Sequence, residues 1–143
     1  MAIRFYFTQD NYGSLLRNRR GLKSFLNKYF VLAKKPVKSL NYIFESDQEL
    51  LEINRDFLQH DFYTDIVTFN LSSTHLIEGE VYISIDRVKE NALQLNLPVE
   101  QELHRVIFHG ALHLCGYKDD NPRHKKQMTS LENLLLKEYF QAF

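Results

Sequence analysis

The chain has 143 residues, no net formal charge and 44% apolar residues, with eleven Phe and eight Tyr. That suits one sizeable hydrophobic core in a single domain over residues 1–143 and excludes a disordered chain. No apolar run approaches the roughly 20 residues that span a bilayer, and MAIRFYFTQD lacks the basic-then-apolar pattern of a signal peptide. Cys115, the single cysteine, excludes an internal disulfide, so the expected location is a reducing cytoplasm with no membrane contact.

Ile3 to Thr8, rich in aromatic and β-branched residues, predicts a first strand. A basic amphipathic helix follows, with Leu22, Phe25, Leu26, Tyr29 and Phe30 at helical spacing, and Pro36 ends it. Ser39 to Phe44 reads as a second strand, and Ser46 opens S-D-Q-E, a capping box for a helix through Phe57. Asp65 to Leu71 and Glu80 to Ile85 predict two more strands, joined by a hairpin-like connection that contains Ser72, Ser73 and Gly79. Asp86 is the expected cap of a helix that stops before Pro98. An apolar-periodic stretch then runs from Val99 through Leu114 to Gly116. A last helix runs from Asn121-Pro122 to about Phe140, packing through Met128, Leu131, Leu134, Leu135 and Tyr139. Interspersed strands and helices predict an α+β domain, a mixed sheet of about four strands packed by helices.

The first forty residues hold nine Lys or Arg against Asp10 alone, a net of +8 that the remaining residues balance. Such a segment can grip a phosphate backbone or can be a solvated helix face. Arg17, Arg19, Arg20 and Lys23 are the candidate substrate contacts within it.

The chemistry-bearing stretch is Phe108 to Asp120, F-H-G-A-L-H-L-C-G-Y-K-D-D. Residues four apart on a helix share one face, about 6 Å apart along the axis, so His109 and His113 can chelate one ion from adjacent turns. Gly116 can take a positive φ and turn the chain so that Asp119 returns to the same ion. Three ligands with a fourth position open to water are the arrangement of a catalytic zinc site. Histidine pairs four apart also arise by chance as hydrogen-bonded core residues, but the glycine and carboxylate at these offsets favour the metal. His124 competes with Asp119 for the third position, and Asp120 is a lesser competitor. Cys115 is expected to be an inert thiol and His104 a structural histidine. Glu102 reads as a helix N-terminal carboxylate, and Thr64-Asp65 leans towards a local structural role.

The spacing matches H-E-x-x-H-x-x-G-x-x-H of zinc proteases, with two changes. Asp119 stands at the last ligand, and Gly110 stands where those enzymes carry their general base. The metal scaffold therefore survives while the peptidase mechanism weakens. An ion there can still activate water and polarise a phosphoryl oxygen. No protein base is evident, although Asp65 or Asp120 would serve in a hydrolase of another kind.

H-G-A-L-H-L-C-G-Y-K-D resembles the signature of the YbeY family of ribosomal RNA maturation factors and endoribonucleases. Asn54, Asp61 and Thr64-Asp65-Ile66-Val67-Thr68-Phe69 resemble a second segment of that family, and Gly79-Glu80-Val81 a third. The resemblance implies one zinc ion and an endoribonuclease that matures small-subunit ribosomal RNA, with a part in ribosome quality control. Carried over by position, it makes His109, His113 and Asp119 the ligands. The family signature usually has a third histidine where this chain has Asp119. It often has an arginine, a plausible phosphate contact, where this chain has Leu58, and proline where it has Tyr63. Two rivals remain: another metallohydrolase on the same helix, and a non-catalytic ribosome-binding protein with a structural metal. The metal's identity and the oligomeric state are left open by the sequence.

Overall fold

In a computed structural model that describes residues 2–142, strands β1 (Ile3–Phe7), β2 (Val37–Glu45), β3 (Ile66–Asn70) and β4 (Ile77–Ser84) form one sheet in the order β1-β2-β4-β3. β1 runs parallel to β2 and β2 to β4, while β3 pairs antiparallel with β4, as the hairpin-like connection predicts. The helices are α1 (Arg19–Leu32), α2 (Asp47–Ile53), α3 (Ile85–Leu95), α4 (Val99–Leu114) and α5 (Pro122–Ala142). The α+β architecture with a four-stranded mixed sheet is the expected one. A short 3-10 turn at Asp10–Leu15, unforeseen in the sequence, precedes α1, and a π-type turn at Asn54–Leu58 extends α2.

Local chemistry explains most boundaries. Ser46 and Glu49 form the predicted capping box, each bonding the other's backbone amide (3.1 and 3.0 Å). Asp86 is not the cap of α3. Ser84 fills that role, its hydroxyl accepting from the Arg87 amide, because β4 runs straight into the helix. Asp86 instead accepts the Asp47 amide at the start of α2 (2.8 Å). β4 also begins three residues earlier than expected, at Ile77, where alternation continues across the Gly79 position.

α1 and α4 share one face of the sheet. Leu22, Leu26 and Phe30 of α1 are buried as their spacing predicts. Phe25, Phe108 and Tyr139 bring α1, α4 and α5 into one aromatic cluster, with centroids 5.2–5.9 Å apart. Met128, Leu135, Leu136 and Tyr139 bury the inner stripe of α5. Leu134, expected in that stripe, is instead half exposed, because it falls a residue off the 128-132-135-136-139 lattice.

α4 lies close to the sheet. The buried Tyr42 hydroxyl of β2 donates to the Ile107 carbonyl (2.9 Å), and Gly110 faces β4. A β-carbon at Gly110 would lie 2.9 Å from Val81 Cγ1 and 3.2 Å from Ile66 Cδ1. Val81 is β-branched and held in a central strand, so it has little freedom to yield. In a helix interior alanine is better than glycine by about 1 kcal/mol. Overpacking a core costs about 1–3 kcal/mol. Gly110→Ala should therefore lower stability by up to about 2 kcal/mol on balance, seen as a reduced urea midpoint at unchanged slope. A midpoint raised by the substitution would show that the helix does not rest on the sheet here.

Candidate metal centre

α4 ends in a glycine-closed cap that returns the chain to the helix face. Gly116 takes φ +100° and its amide bonds the His113 carbonyl, while the Tyr117 amide reaches back to Leu112. This is the Schellman pattern, which needs the left-handed residue at Gly116. Lys35 seals the end by donating to the Cys115 carbonyl (3.0 Å). The reversed chain carries Asp119 back across the last turn.

There Asp119 meets both histidines. Its Oδ2 lies 3.3 Å from His109 Nε2 and 3.4 Å from His113 Nε2. The three donor atoms lie within 4.8 Å of one another, and the cluster could hold a metal ion. The fit can be tested by geometry. Ligands about 2.0–2.1 Å from a tetrahedral zinc ion stand about 3.3 Å apart, which matches both spacings. Neutral imidazole nitrogens and a carboxylate also suit that class of ion.

The outward nitrogens strengthen the case. His109 Nδ1 donates to Glu132 Oε2 (2.6 Å), and His113 Nδ1 donates to the Tyr117 carbonyl (3.0 Å). Each ring thus spends its N–H on a fixed acceptor and turns its Nε2 lone pair inward, the usual support of a metal-binding histidine. Burial works to lower the His109 pKa. The Glu132 hydrogen bond and the charges of Glu132, Asp119 and Asp65 oppose it and raise it overall above the ordinary histidine value.

The competitors stand elsewhere. His124 Nδ1 lies 2.5 Å from Asp120 Oδ1, and this contact holds the Asp120 carboxyl below its usual value. Asn121 caps α5 by accepting the His124 amide. His104 is buried against the Tyr139 ring and bonds the Glu100 carbonyl, as a structural histidine would. Burial pushes the Cys115 thiol up to about 11, which keeps it unreactive. Gly110 points at the sheet, so a carboxylate at that position would be driven into the core rather than towards the ion.

A cavity of about 560 Å³ opens beside the cluster. His109, His113 and Asp119 line it, with Thr64, Asp65, Thr68 and Asn70 on one side and Glu102, Arg105 and Glu132 on the other. Asp65 is therefore more than the local structural residue its sequence position suggested. It faces the cavity, takes a hydrogen bond from Asn91 (3.2 Å), and burial raises its carboxyl while His109 pulls the other way. Glu102 sits in the first turn of α4 as expected, but it is buried and also lines the cavity.

The basic residues singled out near the N-terminus are not in this lining. Arg17 pairs with Glu100 (3.7 Å), Arg19 bonds the Gly13 carbonyl and covers the Phe7 ring, Lys23 lies over the Phe5 ring, and Arg20 is exposed. Arg19 and Lys23 thus lie against β1, at the opposite edge of the sheet from β3, whereas Lys35 reaches the end of α4. Glu132, which sequence reasoning missed, had one available signal. It sits four residues from both Met128 and Leu136, a charge in the middle of an apolar stripe.

The model of the family described as endoribonuclease YbeY matches residues 9–140. A relative named endoribonuclease YbeY from Cytophaga hutchinsonii is 47% identical over 133 residues, 92% of each chain. Another of that name from Phocaeicola vulgatus is 49% identical over 102 residues, 71% of this chain and 74% of that one. The solution structure of TM1509 from Thermotoga maritima superposes with a TM-score of 0.69 at 30% identity, covering 98% of this chain and 90% of the other.

The Glu132 contact yields a direct expectation. Glu132→Gln keeps the shape but weakens the anchor of His109, so metal affinity should fall about 10–100-fold, by competition with a chromophoric chelator. Unchanged affinity would show that Glu132 serves only the packing of α5.

Proposed function

Since the chain belongs to the endoribonuclease YbeY family, we propose that it is a zinc-dependent endoribonuclease. It cuts single-stranded RNA during maturation of small-subunit ribosomal RNA, and it takes part in ribosome quality control in the cytoplasm. The observation that carries this reading is the convergence of His109, His113 and Asp119 on the wall of an open cavity, with the Asp119 oxygen 3.3 and 3.4 Å from the two Nε2 atoms. No described helix is long and apolar enough to cross a membrane.

An ion held there supplies Lewis acidity, which brings the pKa of water near neutrality and polarises a phosphoryl oxygen. The residues of the chain do the rest. Glu132 and the Tyr117 carbonyl fix the two imidazoles. Asp65, a cavity carboxylate near His109 that, unlike Glu132, is not engaged in holding the imidazole, takes the proton of the attacking water. Thr68 and Asn70 offer hydrogen-bonding groups along β3 to the sugar and phosphate. Arg17, Arg19, Arg20 and Lys23, outside the cavity lining, hold RNA backbone or ribosome further along.

The test combines metal content with cleavage of a small-subunit ribosomal RNA precursor. Asp119→Ala should lose both the metal and the activity, while His124→Ala keeps both. Asp65→Asn should keep the metal and lose about 10²-fold or more in kcat. Full metal in Asp119→Ala with none in His124→Ala would replace the third ligand. Zinc-loaded protein that binds ribosomal particles without cutting RNA would make the chain an assembly factor.

A further inference from the structure

Arg105 lies one helical turn before His109 and two before His113, so the three residues form a single stripe along α4. Among the described residues that line the cavity it is the one Arg or Lys, in a lining that also holds Asp65, Glu102, Asp119 and Glu132. Its side chain is 22% exposed and is held in place from behind. Nη1 donates to Glu132 Oε1 (3.2 Å), Nη2 donates to Asn133 Oδ1 (2.7 Å), and Nε lies 3.8 Å from Glu102 Oε1. A guanidinium has five N–H donors, and these contacts leave at least two of them. The fork is therefore preorganised, with spare donors at the cavity wall.

A negatively charged strand entering a cavity with four carboxylates needs positive charge beyond the ion. The four N-terminal basic residues do not line it, and Leu58 stands where the family resemblance expects an arginine. One turn of α4, about 6 Å along the axis, separates Arg105 from the first histidine. That is about one nucleotide step along an RNA strand. We propose that Arg105 is a substrate-binding residue that grips the RNA phosphate next to the scissile one, setting the register of the strand on the metal centre. This inference rests on the endoribonuclease reading of the same site.

The experiment uses the zinc-loaded chain, short single-stranded RNAs, and the same RNAs with one neutral methylphosphonate linkage placed immediately 5′ or 3′ of the cleaved bond. Cleavage is read as KM and kcat, and binding by fluorescence anisotropy. Arg105→Ala should raise KM and Kd roughly tenfold, since a charge-assisted hydrogen bond is lost, and lower the salt dependence by about one phosphate contact. Arg105→Lys keeps the charge without the fork and should fall between the two. In the wild type, the methylphosphonate on one side should raise KM by a similar factor. Combined with Arg105→Ala, that linkage should add nothing further.

Independent, multiplying effects would overturn the assignment. So would an Arg105→Ala variant whose only loss is zinc, because the arginine would then merely hold Glu132 against His109. The methylphosphonate arm in the wild type stands even if a variant folds poorly: no penalty on either side refutes the contact. Wild-type protein that binds these RNAs without cutting them defeats the endoribonuclease reading alone, and the anisotropy comparison still decides Arg105. Wild-type protein that neither binds nor cuts defeats both.

Discussion

The contact of α4 with the sheet sets the position of everything chemical in this fold. Tyr42 fixes the middle of the helix through the Ile107 carbonyl, and Gly110 lets its backbone settle against Val81. Helical periodicity then decides the rest. With position 110 turned to the sheet, positions 105, 109 and 113 are turned towards the gap between β3 and α5. The same rotation places Phe108 in the aromatic cluster with α1 and α5. A helix lifted by one methyl group at Gly110 would carry the ring nitrogens away from Asp119, whose own position depends on the Gly116 turn. Two glycines, one for close approach and one for a positive φ, therefore serve one purpose from different sides.

The second constraint is electrostatic. Glu132 is 6% exposed and engages Arg105 with one oxygen and His109 with the other. A buried carboxylate with a single partner would be costly, whereas this one is satisfied on both oxygens. Its double engagement couples the arginine to the metal centre through rigid contacts. Glu102 shows the contrast. Its Oε1 has no hydrogen-bond partner, and the Arg105 Nε lies 3.8 Å away. Burial raises its carboxyl, Arg105 lowers it, and Asp65 and Glu132 raise it further.

Local signals were legible in the sequence, and those that depend on packing were not. The histidine pair, the glycine cap and the returning Asp119 lie within eleven residues, where chain geometry alone dictates proximity. The capping box at Ser46 and the apolar stripe of α1 were readable for the same reason. Glu132 joins His109 from 23 residues away, through the docking of α5 on α4, which no spacing rule encodes. Asp65 looked like a strand-start residue because its partners, Asn91 and His109, belong to two later helices. The basic first third was legible only as composition. Its charge is real, but composition does not say where a helix will dock, and Arg17, Arg19, Arg20 and Lys23 fall outside the cavity lining.

The departures from the family signature gain a common physical meaning from this arrangement. A carboxylate at position 119 in place of a third histidine lowers the charge of the ion and its ligands by one unit. Leucine at position 58 removes a further cation from the expected substrate path. Either change alone would weaken the attraction of a phosphodiester to the centre, since field strength in a poorly hydrated cavity depends on the balance of a few charges. Arg105 sits where one unit can be restored, on the same helical stripe as the ligands and braced by the carboxylate that braces His109. On this view the three positions form one charge balance. Replacing Asp119 by histidine should then lessen the need for Arg105, and so should replacing Leu58 by arginine.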